Sequence, residues 1–249
     1  MKNKIYDYWM YSRYSMETAL LNPKRNVKEI LVEKKFEHFF KNFLIKNNIH
    51  EKKIKFKVTN KSEIFKKIGR LAKYQGAAML VEKIDYKKSF FSKEQISDEN
   101  FILIIDQLND PNNLGSLLRV SYAFGVKSIL VSNKSIAEEN GFMASIASGS
   151  LDKINIYKVK NLVSIISLLK KNNWWIIGLE SKELKSCIDL KQQKSKFNKK
   201  ALIIGSEKKG LRRLLRESCD ILYRIPTKNN DLDSINVVQA TSIALYELI

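Results

Sequence analysis

The sequence predicts an α/β protein in which a parallel sheet, covered by helices on both faces, follows a small mixed α/β unit. Three observations predict it. From Phe101 onward, short apolar runs alternate with segments of helical spacing, the pattern of strands joined by crossover helices. A polar stretch without periodicity, residues 83–99, reads as a linker between residues 1–82 and residues 100–249. With 249 residues and 44% hydrophobic composition, the chain is long enough for one large domain or two small ones with cores of their own.

In the N-terminal unit, Ser15–Leu21 has helical spacing, Glu29–Val32 is strand-like, and Phe36–Lys46 is a second helix. Ile54–Val58 is the next strand, Lys61–Ala72 a third helix, and Ala77–Val81 a third strand. The C-terminal unit opens with Phe101–Asp106, a continuous apolar run ending in an acid, as a buried strand does. Leu114–Phe124 is helical and stops at Gly125; Ser128–Ser132 is a strand; Ala137–Ala147 suits a helix. Ile154–Val159 (strand), Leu162–Lys171 (helix) and Trp174–Leu179 (strand) continue the alternation. After a longer mixed segment come Ala201–Ile204 (strand), Leu211–Arg216 (helix), Ile221–Ile225 (strand) and the closing helix Ser234–Ile249.

The charge balance favours a polyanionic partner. Lys and Arg total 45 against 26 Asp and Glu, a formal net charge of +19, and each phosphate neutralised by such a surface releases condensed counterions. Lys, Asn and Ile crowd the whole chain, as they do under an AT-rich coding bias, so part of this excess says nothing about partners. Cys187 and Cys219 form neither a metal-ligand spacing nor a redox pair. They are too few for a secreted disulfide scaffold, which fits a reducing cytoplasmic setting. His38 and His50 both lie early in the chain, so no metal site and no histidine-based triad is expected. No apolar run approaches the ~20 residues that cross a membrane, so no membrane partner is expected. Residues 1–7 lack the apolar core of a signal peptide.

Three segments carry candidate chemistry. The first is Asn109-Asp110-Pro111-Asn112-Asn113-Leu114-Gly115-Ser116-Leu117-Leu118-Arg119. Its Asp-Pro makes a turn after the strand, Asn112 or Asn113 can cap the helix, and Gly115 admits a close backbone or ligand. Arg119 lies one turn beyond Ser116 on the same face, and Asn113 reaches that face from the helix start. The second is Ile203-Ile204-Gly205-Ser206-Glu207-Lys208-Lys209-Gly210-Leu211. Gly205 and Gly210 have the spacing of a P-loop, but Leu211 and Arg212 follow where Lys and Ser/Thr are needed, so an NTPase is disfavoured. The first strand is not followed by Gly-x-Gly-x-x-Gly, which disfavours a Rossmann site. Gly-Ser-Glu between strand and helix instead puts backbone N–H groups and the Glu207 carboxylate at a strand's C-terminal end. In the third segment, Ile225-Pro226 ends a strand, and a polar loop leads to Asp233-Ser234-Ile235-Asn236-Val237, where Ser234 can cap the last helix.

In this order and near the C-terminus, the three segments together resemble the SpoU (TrmH-type) branch of the SPOUT methyltransferases. Tyr11-Ser12-Arg13-Tyr14-Ser15-Met16-Glu17-Thr18-Ala19-Leu20-Leu21-Asn22-Pro23-Lys24-Arg25 and Tyr74-Gln75-Gly76 resemble the members that carry an RNA-binding extension. Ser12, Tyr14 and Tyr74 stand where those members have Gly, His and His, and Ile235 stands where they have Leu. The resemblance implies a trefoil-knotted, parallel-sheet methyltransferase domain over 100–249 and an RNA substrate-binding domain over 1–82. It implies S-adenosylmethionine held by the knot's backbone at Gly205, Ile225 and Ile235. It also implies a homodimer that builds its RNA-facing site from both subunits. Asn113, Arg119, Glu207, Ser234 and Asn236 match the family's catalytic positions.

The implied reaction is methylation of a ribose 2′-OH, that of a guanosine in 23S (large-subunit) ribosomal RNA, since the extension resembles the ribosomal RNA branch. A tRNA ribose methyltransferase of the same family is one alternative; a non-catalytic RNA-binding assembly factor is another, against which retention of the five catalytic positions speaks. The sulfonium is already an excellent leaving group. The protein must therefore align the 2′-oxygen about 3 Å behind the methyl carbon and assist loss of its proton. Arg119 stays protonated at neutral pH, so it suits the adjacent phosphate and the incipient alkoxide. A phosphate oxygen or Glu207 would accept the proton.

Overall fold

The computed structural model describes residues 7–49, 54–86, 99–132, 136–180, 187–188, 198–206, 209–228 and 234–249. In chain order the elements are β1 (Asp7–Met10), α1 (Arg13–Leu21), β2 (Val27–Glu33), α2 (Glu37–Lys46), β3 (Lys55–Thr59), α3 (Lys61–Ile68) and β4 (Ala77–Glu82). They continue with β5 (Phe101–Ile105), α4 (Pro111–Ala123), β6 (Ser128–Ser132), α5 (Gly141–Ala147), β7 (Asn155–Val159), α6 (Leu162–Lys171) and β8 (Trp175–Leu179). The last are β9 (Cys187–Ile188), β10 (Lys200–Ile204), α7 (Arg213–Glu217), β11 (Ile221–Tyr223) and α8 (Val237–Leu248). Contacts divide the chain into two units, one of Met1–Asp85 with Glu138–Lys153, the other of Tyr86–Ala137 with Ile154–Ile249.

The first unit is built on a four-stranded sheet in the order β1-β4-β2-β3. β4 is antiparallel to β1 and β2, and β2 is parallel to β3. Ile64 of α3 packs with Leu31 and Ala78 of the sheet, while Phe40 and Leu44 of α2 are fully buried. Helix α3 stops at Ile68, short of the sequence-predicted Ala72, because Gly69 takes φ +85°, where a helix cannot continue. Residues 138–153, read from the sequence as part of the C-terminal alternation, belong to this first unit. Their attachment is polar and buried. The Arg25 guanidinium donates from Nη1 to Glu139 at 2.7 Å and from Nε to Asp152 at 2.8 Å. The three side chains are only 0, 2 and 1% exposed. The Tyr8 hydroxyl donates to Glu139, the Asn22 amide to Asp152, and the Ser15 hydroxyl to the Ala144 carbonyl.

The second unit holds a seven-stranded sheet in the order β7-β6-β5-β10-β8-β11-β9, and every pairing in it is parallel. Ile102, Leu103, Ile104 and Ile105 of β5 are all buried, as are Ala201, Leu202, Ile203 and Ile204 of β10. Burial of both alternating sets is why these strands read as unbroken apolar runs. On one face, Ile102, Ile104, Ala201 and Ile203 pack against Leu162, Ile166 and Leu169 of α6 and Leu215 of α7. Helices α4 and α8 pack against each other.

Candidate functional site

The strand order reverses between β5 and β10: from β5 the chain runs outward through β6 and β7, then returns to the other side. Ligands of open parallel sheets sit beyond the carboxyl ends of the strands at such a point. Asp106 follows β5, Gly205 follows β10 and Glu180 follows β8, so all three stand at that edge.

The α4 helix begins at Pro111, and the capping residue is Asp110, whose carboxylate accepts from the Asn112 N–H at 3.0 Å. This corrects the sequence expectation that Asn112 or Asn113 caps it. Proline is preorganised for the first helical position and needs no N–H there, so the cap falls one residue earlier. Asn113 is thereby freed from capping, and its Oδ1 accepts from Asn236 Nδ2 at 3.3 Å. Asn236 in turn caps α8, its Oδ1 accepting from the Val238 N–H at 2.9 Å. Here too the cap differs from expectation: Ser234 lies two residues before the helical cap, exposed, and α8 starts at Val237. The side chains of the first and third segments, 123 residues apart, thus meet.

Arg119 projects from α4 exposed to solvent, and among the described residues no carboxylate pairs with it. Ile225 and Ile235 are half-buried. β11 ends at Tyr223, so Ile225-Pro226 lies just beyond the strand rather than closing it. Glu207 and Asp233 lie outside the described residues.

Gly205 is buried against the chain's own return. Ser206 and Gly210 form an antiparallel bridge, with N–H to carbonyl distances of 3.1 and 2.9 Å in the two directions. A Cβ on Gly205 would fall 2.2 Å from the Gly210 carbonyl carbon and 2.5 Å from the Leu211 nitrogen. The segment is fixed from both sides. Arg212 grips Asp106, Nε to carboxylate 2.7 Å, and Asp106 is fully buried. The hydrogen bond to Asp106 holds the Arg212 guanidinium above its usual pKa. Arg216 donates to Glu180 at 2.9 Å and to the Leu211 carbonyl at 3.1 Å. The sequence reading missed both pairs. One half of the signal was present, an acid closing the apolar run at Asp106, but nothing in the spacing linked it to Arg212.

The residues described offer the backbone groups of the Ser206–Gly210 bridge at a sheet edge, two coupled amides, and the Arg119 guanidinium. Among the described residues no group of His, Cys, Asp and Glu could hold a metal ion, and no helix is long and apolar enough to cross a membrane.

Comparison with known proteins places these features in a family. The family model of the SpoU rRNA methylase family matches residues 100–246. A TrmH family tRNA/rRNA methyltransferase of Staphylococcus saprophyticus is 29% identical over 246 residues, 94% of this chain and 96% of that protein. The 23S rRNA (guanosine-2′-O-)-methyltransferase RlmB of Yersinia pestis is 35% identical over 150 residues, 60% of this chain and 58% of that protein. Among solved structures, the SpoU methyltransferase AviRb of Streptomyces viridochromogenes, in complex with AdoMet, aligns with a TM-score of 0.75. The identity is 17%, over 97% of this chain and 89% of that one.

Proposed function

This chain belongs to the SpoU rRNA methylase family of RNA methyltransferases, and on that premise we propose that it methylates the ribose 2′-OH of a guanosine in large-subunit ribosomal RNA, with S-adenosylmethionine as donor. The observation that carries the reading is the hydrogen bond between Asn113 and Asn236, which joins the first and third segments. The likeness to the guanosine-specific Yersinia pestis protein supports the target.

The residues present fit the donor. A return packed on its own backbone at Gly205 presents peptide groups rather than side chains, as holding an adenosine by its backbone requires. Gly205, Ile225 and Ile235 would hold it. When bound, S-adenosylmethionine supplies a methyl group on a positively charged sulfur. Arg119 binds the phosphate beside the target ribose and steadies negative charge growing on the 2′-oxygen. Asn113 and Asn236 fix the starts of α4 and α8 relative to each other, and Ser234 is assigned to the same site. The proton leaves to Glu207 or to a phosphate oxygen. Reading of the RNA is assigned to residues 1–82, and the closing segment is assigned the family's trefoil knot. The 2′-OH as acceptor limits the substrate to RNA.

Ribose-methylation mapping of total RNA, with and without the protein, tests the proposal. One guanosine of large-subunit RNA should lose its mark in the protein's absence. A lost mark on tRNA instead would move the substrate, as the tRNA/rRNA naming of the Staphylococcus saprophyticus relative leaves room for. No lost mark on either would end the proposal.

Gly205→Val should weaken S-adenosylmethionine binding at least tenfold by calorimetry, because the added side chain must force the Ser206–Gly210 pairing open. Unchanged affinity in a folded variant would move the donor site elsewhere.

The protein is further proposed to act as a homodimer. Helices α4 and α8 pack together yet leave Tyr122, Ile243 and Tyr246 50, 38 and 74% exposed, an apolar surface of the kind that two-fold pairs cover. Light scattering at micromolar concentration should give twice the monomer mass of 28.9 kDa; a fully active monomer would overturn it.

A further inference from the structure

We infer that the outer face of α3, with the cleft beside it, is a binding site for an unpaired nucleotide of RNA. The inference rests on the reading of this chain as an RNA methyltransferase and specifies where and in what form RNA is gripped away from the methylation site.

Lysine is common throughout this chain, so its number alone decides nothing; its pairing does. In the rest of the first unit Lys28, Lys34, Lys35, Lys41 and Lys55 each meet a carboxylate. Among the described residues Lys46 and Lys153 stand alone without such a pair, but only residues 61–73 gather several cations that lack one. Lys61, Lys66, Lys67, Arg70 and Lys73 are exposed, and among the described residues no ion pair includes any of them. The one acid of that stretch, Glu63, is already engaged. Its carboxylate accepts from Lys57 at 2.5 Å and from the Thr59 hydroxyl, and these bonds hold its pKa below the usual range. Five cations share this short stretch with a single acid, Glu63, which attracts Lys66 without pairing closely with it; the remaining excess charge is self-repelling, and a bound polyanion relieves that repulsion.

The shape selects among polyanions. Lys61, Ser62, Phe65, Lys66 and Arg70 line a cleft of about 520 Å³, a size that suits a nucleotide rather than a groove for a duplex. Phe65 is half-buried and held by an edge-on contact with Tyr74, ring centroids 4.9 Å apart. The Lys61 ammonium lies 5.4 Å from the Phe65 ring centre. An aromatic wall between cations takes a base by stacking and its phosphates by charge, the combination used for single strands. Bases inside a duplex are already stacked and cannot enter.

The test uses the full-length protein and fluorescence anisotropy with a labelled single-stranded RNA and a fully paired RNA of equal length. The variants are Lys66→Gln with Arg70→Gln, and Phe65→Leu. The paired substitution should weaken single-strand binding at least tenfold and flatten the log-log salt dependence by about 1.4, since each phosphate contact on a single strand contributes about 0.7. Phe65→Leu should weaken binding by about tenfold and leave the salt slope unchanged. Both variants should melt as the wild type does and keep its S-adenosylmethionine affinity. Unchanged RNA affinity in both variants would overturn the site, and equal wild-type affinity for paired RNA would overturn the unpaired nucleotide. A wild type that binds single-stranded RNA through these residues but methylates none would leave this site standing and refute the proposed function instead.

Discussion

Replacing Arg119 with alanine should lower single-turnover methyl transfer at least 100-fold while leaving S-adenosylmethionine affinity within a factor of two or so. Arg119 lies exposed on α4 with no paired carboxylate among the described residues, so its removal costs the fold little, and the loss should appear in the chemical step. Arg119→Lys should fail nearly as badly. A planar fork can hold a phosphate oxygen and a 2′-oxygen at once, whereas an ammonium is a point charge on a flexible stem. Transfer by the lysine variant at the wild-type rate would remove Arg119 from the proposed role.

The largest stability effect is expected at Arg25. Its guanidinium makes four hydrogen bonds at 2.7–3.1 Å, to Glu139, to Asp152 twice and to the Glu82 carbonyl. Burial opposes its charge, but the two carboxylates outweigh burial and hold the guanidinium even further above neutrality. Arg25→Met fills much of the space and strands two buried carboxylates. Breaking one partner out of such a cluster costs about 3–5 kcal/mol, which lowers the melting temperature by roughly 10 °C in a chain of this size. Since the pair is dry, the loss should persist at 0.5–1 M salt, about where surface pairs are screened away. Tyr8 adds a pH signature. Burial and the Glu139 charge hold its hydroxyl well above the ordinary tyrosine value of 10.0. A folded-state pKa raised in this way gives stability that is present below pH 10 and lost as the pH climbs past it. A melting temperature unchanged in Arg25→Met would show that residues 138–153 are held by something else.

The parallel sheet was legible because its strands are apolar without interruption. Ile102–Ile105 and Ala201–Ile204 are buried on both faces, and their shortness and isoleucine content favour a strand over a buried helix segment. Residues 7–10 were missed: Asp7-Tyr8-Trp9-Met10 is too short and mixed to show a period, and it becomes a strand by pairing with β4. The two-residue strand Cys187–Ile188 likewise exists through its neighbour β11. Helix starts were misjudged by a few residues because several capping types crowd each boundary. Asp110 won over Asn112 and Asn113 through Pro111, and Asn236 displaced Ser234 while also reaching Asn113. The site's residue types could be read from three segments, but the Asp106–Arg212 and Glu180–Arg216 pairs could not. Each joins a strand end to a loop at a distance in sequence that no local pattern encodes.

The cluster around Arg25 also bears on how the molecule comes into being. Synthesis delivers the chain from its amino end, and a leading domain ordinarily folds before the next has been made. Here the leading unit contains a segment that is translated much later. When Glu82 completes the four-stranded sheet, Arg25 still has neither carboxylate, and the surface that α5 will cover is bare. The nascent unit therefore waits, incomplete, until Asp152 has been added and has cleared the ribosome. By then the residues of β5 and β6 have been made as well, so completion of the first unit overlaps synthesis of the second, and transplanting the N-terminal unit to another enzyme would require residues 138–153 to travel with it.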